Sequence, residues 1–201
     1  MAGDETKSID GRRARRERGR VAAAAALIDL VFEGYSPPTA DQIAERAGVS
    51  SASLFRYFET LDELRDEAAR EYFERFAGLL EVPDIGEGTL VDRIAGLTTA
   101  RTRLYTETEP MARLVRHRAP DFENAAETLS RIRSTLADQF SQHFDAELRS
   151  MSKAERVDAL AVGSTLTSFE SWEQMRQHHQ RSQPQIIRAW SATLLSVLEQ
   201  D

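Results

Sequence analysis

The 201-residue sequence contains no cysteine, so a disulfide, a thiolate metal site and a thiol nucleophile are all excluded. No stretch of the sequence approaches the length of a membrane span, and the polar start MAGDETKSID lacks the apolar core of a secretory signal. Lysine is scarce as well, with two lysines against 24 arginines, which we attribute to genome composition. We therefore expect a cytoplasmic protein that has no membrane partner.

Motifs that carry enzyme chemistry are also missing. The sequence has no Gly-rich phosphate loop and no nucleophile elbow. His178 and His179 are adjacent, so on a helix their side chains point about 100° apart and cannot chelate a metal from one face. His143 and Glu147 have a possible ligand spacing, but a solvated surface pair is favoured. We expect no enzyme activity, no metal and no cofactor.

The most informative segment that is present runs from Thr39 to Phe58 and reads TADQIAERAGVSSASLFRYF. Thr39 and Gln42 have the spacing of a capping box, which predicts the start of a helix. Gly48 can adopt the positive φ that ends a helix sharply, and Ser50 can cap the next helix. The pattern predicts two short helices joined by a tight turn.

The second of these helices has a small outward face. If Leu54 faces inward, the outward residues are Ser51, Ala52, Ser53 and Arg56, and such a helix can enter a DNA major groove. An ordinary pair of packed helices has the same spacing, so this motif alone does not establish DNA binding.

A basic segment precedes the two helices. Residues 11–20, GRRARRERGR, contain six arginines and one glutamate, a net charge of +5 in a chain of net charge −7. A solubilising tail has the same composition, but the position of this segment next to the predicted turn favours contact with phosphates or the minor groove. We expect Arg15, Arg16 and Arg18 to contact DNA. The acidic remainder, residues 61–201, should point away from the duplex.

These residues resemble a known family. From about Arg18 to Leu64 the sequence is similar to the N-terminal domain of the tetracycline-repressor (TetR) family, with matches at Gly34-Tyr35, Thr39, Ile43-Ala44, Ala47-Gly48-Val49-Ser50 and Leu54-Phe55-Arg56-Tyr57-Phe58. The resemblance implies that Thr39 and Tyr57 contact phosphates. It also implies that the residues after the Val-Ser turn meet bases, namely Ser51, Ala52, Ser53 and Arg56. We expect Ser50, in the turn itself, to contact DNA as well.

The sequence departs from this family at one position. The family usually has a lysine two or three residues after the Tyr-Phe pair to anchor a phosphate, whereas this chain has Glu59-Thr60-Leu61. The loss of one phosphate contact should weaken binding to all DNA sequences equally and lower the salt slope by about one.

The helical periodicity continues past Phe58, and no strand pattern is present, so we predict an all-α fold. Residues 1–17 are predicted to form a basic disordered arm, residues 18–64 a three-helix helix-turn-helix domain, and residues 65–201 a helical bundle for ligand binding and dimerisation. In the last part, helices are predicted near residues 89–107, 110–118, 121–144, 153–179 and 184–200, with breaks at the prolines and at serine-rich points.

The last predicted helix is apolar over a wide stripe. We expect one side of it to pack inward and the other, with Ile187, Trp190, Leu194 and Leu198, to face a second subunit, although the whole stripe could be core. The family resemblance also implies a dimer, built from the last two helices of each chain. Two recognition helices about 34 Å apart would read both halves of an inverted repeat.

Rings and thioethers on the middle helices suit a small, largely apolar ligand, although each of them could also be core. The candidate lining residues are Tyr105, Met111, Phe122, Phe140, Phe144, Phe169, Trp172 and Met175. The resemblance implies a ligand pocket in this part of the chain.

The sequence therefore predicts a dimeric, ligand-responsive repressor that binds double-stranded DNA. The first alternative is a co-regulator or small-molecule binding protein that keeps this helical fold but reads no DNA, which the missing lysine favours. The second alternative is a small-molecule enzyme, and the lack of a catalytic constellation argues against it.

Overall fold

The computed structural model describes residues 3–199, with side chains from residue 13 onward. Within that range every regular element is helical, which confirms the predicted all-α class. None of these helices is both long enough and apolar enough to cross a membrane. The elements are α1 (Gly3–Phe32), α2 (Ala40–Arg46), α3 (Ser51–Tyr57), α4 (Leu61–Arg75), a 3₁₀ turn (Ala77–Leu79), α5 (Leu90–Arg118), α6 (Glu123–His143), α7 (Asp145–Ser150), α8 (Lys153–Leu166), α9 (Phe169–Gln177) and α10 (Gln183–Leu198).

The chain divides into two compact units. The first unit contains the residues up to 76 together with residues 110–126, and the second unit contains residues 77–109 and 127 onward. In the first unit, α1 packs against α2, α3 and α4. In the second unit, α8 packs against α10 and α7, and α9 packs against α10.

The first helix is longer than the sequence predicts. It begins at Gly3, so residues 3–17 are helical, and the predicted disordered arm is wrong for these residues. Arginine and alanine are good helix formers, and the first proline is Pro37, so nothing in this segment stops the helix. Residues 1–2 and the side chain of Arg12 lie outside the described residues.

The predicted breaks also differ from the structure in the second half of the chain. Helix α5 continues through Pro110, where a break is predicted, and the division between the two units falls at this residue. Proline removes one backbone donor there, and a long helix tolerates this loss when packing holds both sides. Conversely, the segment predicted as one helix over 153–179 is two helices, because Ser168 accepts from the Ser171 N–H at 3.2 Å and caps α9.

The second unit has its core around Phe140 of α6 and Phe144, the residue between α6 and α7, whose ring centroids lie 4.8 Å apart. The core brings together residues from α5, α6, α7, α8 and α10. The buried members are Val82, Ile94, Leu97, Phe140, Phe144, Leu148, Met151, Ala159, Leu194 and Leu198.

His143 is part of this interior, so its prediction as a solvated surface residue is wrong. Only 1% of its surface is exposed. Its Nδ1 accepts from the Gly86 N–H at 3.1 Å, and Nε2 lies 2.8 Å from the Arg93 carbonyl oxygen, to which it donates. Glu147 pairs instead with the Arg93 guanidinium. Burial lowers the pKa of His143 and favours the neutral ring that these two hydrogen bonds require.

Candidate nucleic-acid interface

Helices α2 and α3 form the predicted pair joined by a tight turn. The Thr39 side chain accepts from the Gln42 N–H at 3.3 Å, and the Gln42 side chain accepts from the Thr39 N–H at 2.9 Å, so the capping box is complete. Gly48 follows α2 with a φ of +67°, a conformation that favours glycine. Ser50 then accepts from the Ser53 N–H at 3.2 Å and caps α3.

The angle between the two short helices is fixed by buried side chains at their crossing. Ile43 of α2 is fully buried and Leu54 of α3 is 1% exposed, while Val49 in the turn is half-buried. Phe58, directly after α3, is 2% exposed. The opposite face of α3 is therefore held rigidly toward solvent.

The outward face of α3 carries Ala52, Phe55 and Arg56, all exposed. Ser51 and Ser53 are half-buried, and their hydroxyl groups have local partners. The Ser51 hydroxyl donates to Asp41 Oδ1 at 2.8 Å, and the Arg56 guanidinium donates to Ser53 Oγ at 2.7 Å.

Phe55 is a residue of this face that the sequence reasoning missed as a site residue. Half of its surface is exposed, although phenylalanine is usually buried. The sequence indicated this exposure through the position of Phe55 directly after Leu54. When one helical residue faces the core, the next residue points in a different direction. An exposed ring on a groove-sized helix can contact a thymine methyl group.

Gly19 and Arg20 of α1 hold the end of α3. A Cβ atom at Gly19 would lie 2.4 Å from Tyr57 Cε2, so only glycine leaves room for that ring. Arg20 Nη1 donates to the Tyr57 carbonyl oxygen at 2.6 Å, and its guanidinium also pairs with Glu63 and Glu67. The hydrogen bond that Arg20 donates to Glu67 raises the pKa of Arg20. Arg20 is therefore engaged within the first unit rather than free for phosphate.

The remaining arginines of α1 face solvent. Arg13, Arg15, Arg16 and Arg18 are exposed, and Arg16 donates weakly to the Tyr57 carbonyl oxygen at 3.4 Å. Because residues one turn apart on a helix share a face, Arg13 lies on the same side as Arg16, next to the end of α3, whereas Arg15 and Arg18 form a second basic pair on another side of α1. The position where the family usually has lysine is filled by half-buried Leu61, the first residue of α4.

This geometry can be compared with known proteins. A family model described as bacterial regulatory proteins, tetR family, matches residues 21–68, which include the C-terminal part of α1, all of α2 and α3 and the first part of α4. Over this segment, about a quarter of its length, the chain is similar to the tetR family of bacterial regulatory proteins. Both α2 and α3 lie inside the matched segment and form its helix-turn-helix. No curated protein matches the chain by sequence.

Solved structures share the fold over nearly the whole chain. A transcriptional regulator from Rhodococcus sp. Rha1 is 19% identical, with a TM-score of 0.68 over 89% of this chain and 95% of that one. A protein assigned to the TetR family, from Mesorhizobium loti MAFF303099, is 18% identical, with a TM-score of 0.60 over 92% and 96%. The multidrug binding protein EbrR, complexed with imidazole, is 16% identical, with a TM-score of 0.62 over 93% and 96%. At these identities the likeness shows the TetR fold alone.

The residues predicted to line a ligand pocket are divided between the two units. Met111 and Phe122 belong to the first unit, where Phe122 is 37% exposed and lies against Arg118. Phe140 and Phe144 lie in the core of the second unit.

Three of these predicted residues do form one cluster in the second unit. The Tyr105 ring lies 5.6 Å from the Phe169 ring and 5.9 Å from the Trp172 ring, and the Tyr105 hydroxyl donates to the Thr167 carbonyl oxygen at 2.7 Å. Met175, at the end of α9, is half-buried. A cavity of about 740 Å³ in the same unit is lined by other residues, among them Leu79, Val82 and Ala100.

The predicted dimer contacts on α10 need correction. Trp190 and Leu194 are fully buried and Leu198 is 1% exposed, all within the subunit, so these three are core. They continue a stripe of every fourth residue that begins at Ile186, which is also fully buried. Ile187 lies one position off this stripe and is half-buried. The prediction combined two faces of the helix, because a wide apolar stripe does not show which side packs inward.

Other apolar residues, different from the three buried residues of α10, are exposed on the surface of α8 and α10. On α8, Val157 and Val162 are 58% and 49% exposed, and Ala161 beside them is also exposed. On α10, Ala189 and Ala192 face solvent. Small and β-branched residues on two packed helices permit a close approach by a second copy of the same surface.

Proposed function

We propose that this protein is a sequence-specific DNA-binding regulator that acts as a homodimer and releases its operator when a small ligand binds. The observation that carries the proposal is the face of α3, where Ala52, Phe55 and Arg56 point to solvent from a rigidly packed helix. A face of this size enters a major groove without steric conflict.

Each part of this surface has a role that follows from its chemistry. Arg56 can donate two hydrogen bonds to one guanine, while Ala52 and Phe55 can contact thymine methyl groups. Thr39 and Tyr57, one at each end of the element, suit phosphate contacts. The exposed arginines of α1 add sequence-independent attraction to the backbone.

The apolar surface of α8 and α10 supports a two-fold dimer. A symmetric pair would bring two copies of α3 to one face of the duplex, so the operator would be an inverted repeat. Val157, Ala161, Val162, Ala189 and Ala192 would form the centre of this interface, in place of the three buried residues of α10.

Ligand response is supported by the fold that this chain shares with EbrR, a multidrug binding protein whose structure holds imidazole. Release requires a ligand that binds more tightly to the conformation that cannot hold DNA, because equal affinity for both conformations shifts nothing. Under this proposal the protein is a repressor.

The direct test is selection of genomic fragments by the purified protein at about 0.1 M salt. We expect the wild type to enrich an inverted repeat, and Arg56→Ala to reduce the enrichment while shifting the preferred base at one position in each half. Arg149→Ala is the matched control, since it removes an arginine that is 76% exposed on α7 of the second unit. This control should select the same repeat as the wild type.

One observation favours the alternative co-regulator, namely Leu61 in place of a phosphate-binding lysine. Under that alternative, the wild type and Arg56→Ala would show the same weak, salt-sensitive binding without sequence preference. Such a result would replace the repressor proposal with the co-regulator.

A further inference from the structure

Arg101 is a buried cation in the interior of the second unit. Only 2% of the residue is exposed. Its Nη1 donates to Gln139 Oε1 at 2.8 Å and its Nη2 donates to the Leu136 carbonyl oxygen at 2.9 Å, and both acceptors are neutral. Among residues 13–199 it has no carboxylate partner. A guanidinium stays protonated in proteins, so this charge is buried without compensation.

The other buried arginines show that this is unusual for the chain. Arg93 pairs with Glu147, and Arg118 pairs with Asp62 and Asp66 at 3.2 and 2.7 Å. Burial lowers the pKa of Arg101, which reflects the cost of holding its charge away from water. An unpaired buried charge is strongly unfavourable, and proteins retain one mainly where a ligand or a mechanism uses it.

The same unit contains further buried donors without acceptors. The indole N–H groups of Trp172 and Trp190 are both buried and unpaired in the described part of the chain. Trp172 contacts the Tyr105 ring, and Tyr105 lies one helical turn after Arg101 on α5. The interior of the second unit therefore has a surplus of donors and positive charge, and an anionic acceptor would complement it.

A cavity of the second unit is linked to Arg101 through Gln139 and Leu80, although none of these three residues lines it. The Gln139 side chain that accepts from Arg101 also donates to the Leu80 carbonyl oxygen at 2.7 Å. The neighbours of Leu80 on both sides, Leu79 and Glu81, line the cavity of about 740 Å³. Gln139 thus connects the guanidinium to the segment that forms the cavity wall. This volume is within the usual range for small-molecule sites.

We propose that the ligand of the second unit is an organic carboxylate, whose acid group replaces Gln139 on Arg101 and whose apolar body occupies this cavity. A carboxylate can accept two parallel hydrogen bonds from one guanidinium. These charge-assisted bonds are stronger than the hydrogen bonds to two neutral acceptors. The proposal refines the ligand-responsive part of the proposed function and rests on it for its biological role. Its chemistry is tested without DNA.

The test is calorimetric titration of the DNA-free protein with four carboxylates: hexanoate, decanoate, phenylacetate and 4-phenylbutyrate. Each acid is compared with its primary amide, which has nearly the same shape and no charge. We expect at least one acid to bind about 30-fold or more tightly than its amide. If no acid in the series is preferred over its amide, the proposal is wrong.

Three variants locate the interaction. Arg101→Met should abolish the preference for the acid, while its unliganded melting temperature should equal or exceed that of the wild type, because an uncompensated buried charge has been removed. Ala100→Leu reduces the cavity and should weaken the acid and the amide alike. Arg103→Met is the matched control, since Arg103 also lines the cavity but is 65% exposed and pairs with Glu107.

The outcomes separate this proposal from a structural role and from the DNA proposal. If Arg101→Met melts below the wild type, Arg101 is a structural residue and the proposal fails. If the acid preference survives Arg101→Met but is lost in Arg103→Met, the acid group binds at the rim and the proposal also fails. Failure of the fragment selection would contradict DNA reading while leaving a measured acid preference in place.

Discussion

The two compact units differ in how they compensate their charges. In the first unit, half-buried Arg20 and buried Arg118 are each held by two carboxylates, so both cations are neutralised internally. In the second unit, Arg101 has only neutral partners. Complete compensation leaves the first unit with one rigid arrangement that presents α3. In the second unit the uncompensated charge of Arg101 is unfavourable, and binding of an anionic ligand would reduce this cost.

The largest expected effect comes from breaking the internal compensation of the first unit. Arg118→Met leaves Asp66 without its cation and Asp62 with Arg65 alone, and it should lower the free energy of unfolding by about 2 kcal/mol. The full cost of a buried pair is not expected, because the two carboxylates are 35% and 24% exposed. Urea denaturation of wild type and variant measures the difference.

The control for Arg118→Met is Arg149→Met, which removes the exposed pair with Asp145. Its free energy of unfolding should change by less than about 0.5 kcal/mol. Equal effects in the two variants would mean that the compensation in the first unit does not depend on burial.

Two glycines sharpen the comparison through packing. Gly19→Ala places a methyl group against the Tyr57 ring and should lower the free energy of unfolding by about 1–2 kcal/mol and weaken DNA binding. In α5 of the second unit, the methyl group that Gly96→Ala adds meets no atom within 4 Å. This variant should raise the free energy of unfolding by about 0.5–1 kcal/mol. If Gly19→Ala also stabilises the protein, the contact between α1 and Tyr57 is not as tight as described.

The pH dependence should be specific to the second unit. Because burial lowers the pKa of His143, the unfolded chain takes up a proton before the folded state does. The contribution of neutral His143 is therefore complete above the ordinary value of 6.5 and is lost as the pH falls through the lower, folded value. Denaturant unfolding at pH 7.5 and at pH 6 should show a drop in stability that His143→Gln reduces.

Exposed His178 provides the control for this titration. His178→Gln should keep the full pH dependence of the wild type. A wild-type protein with equal stability at both pH values would contradict the buried, neutral state of His143.

The smallest effect concerns the position that departs from the family. Leu61→Lys should restore one phosphate contact, tightening binding to all DNA sequences and increasing the salt slope by about one. Val91→Lys, at an exposed position of the second unit, adds the same charge and should leave the slope unchanged. Binding isotherms at several salt concentrations distinguish the two variants. No change in slope for Leu61→Lys would place this residue away from the DNA backbone.

The first unit could be predicted from the sequence because its signals are local. Thr39 caps with a residue three positions away, Gly48 sets its own φ, and Ser50 caps with Ser53. Each of these features depends on neighbours along the chain, so spacing and residue type are sufficient to find them. The length of α1 was missed because a basic composition fits both a tail and a helix.

The second unit could not be predicted to the same depth because its important contacts are distant in sequence. Arg93 meets Glu147 across 54 residues, and Arg101 meets Gln139 across 38. No local pattern indicates that these arginines are buried. The stripe of every fourth residue from Ile186 to Leu198 was visible in the sequence, but which side of α10 faces the core is decided by helices elsewhere in the chain.

The most direct test of DNA reading by α3 is a hydroxyl-radical footprint of the dimer on an enriched fragment. Two protected half-sites on the same face of the duplex are expected, separated centre to centre by about 34 Å or a whole multiple of it. Arg56→Ala should lose this pattern at the concentration where Arg149→Ala keeps it. Uniform protection without a fixed register, equal in all three proteins, would contradict sequence reading by α3.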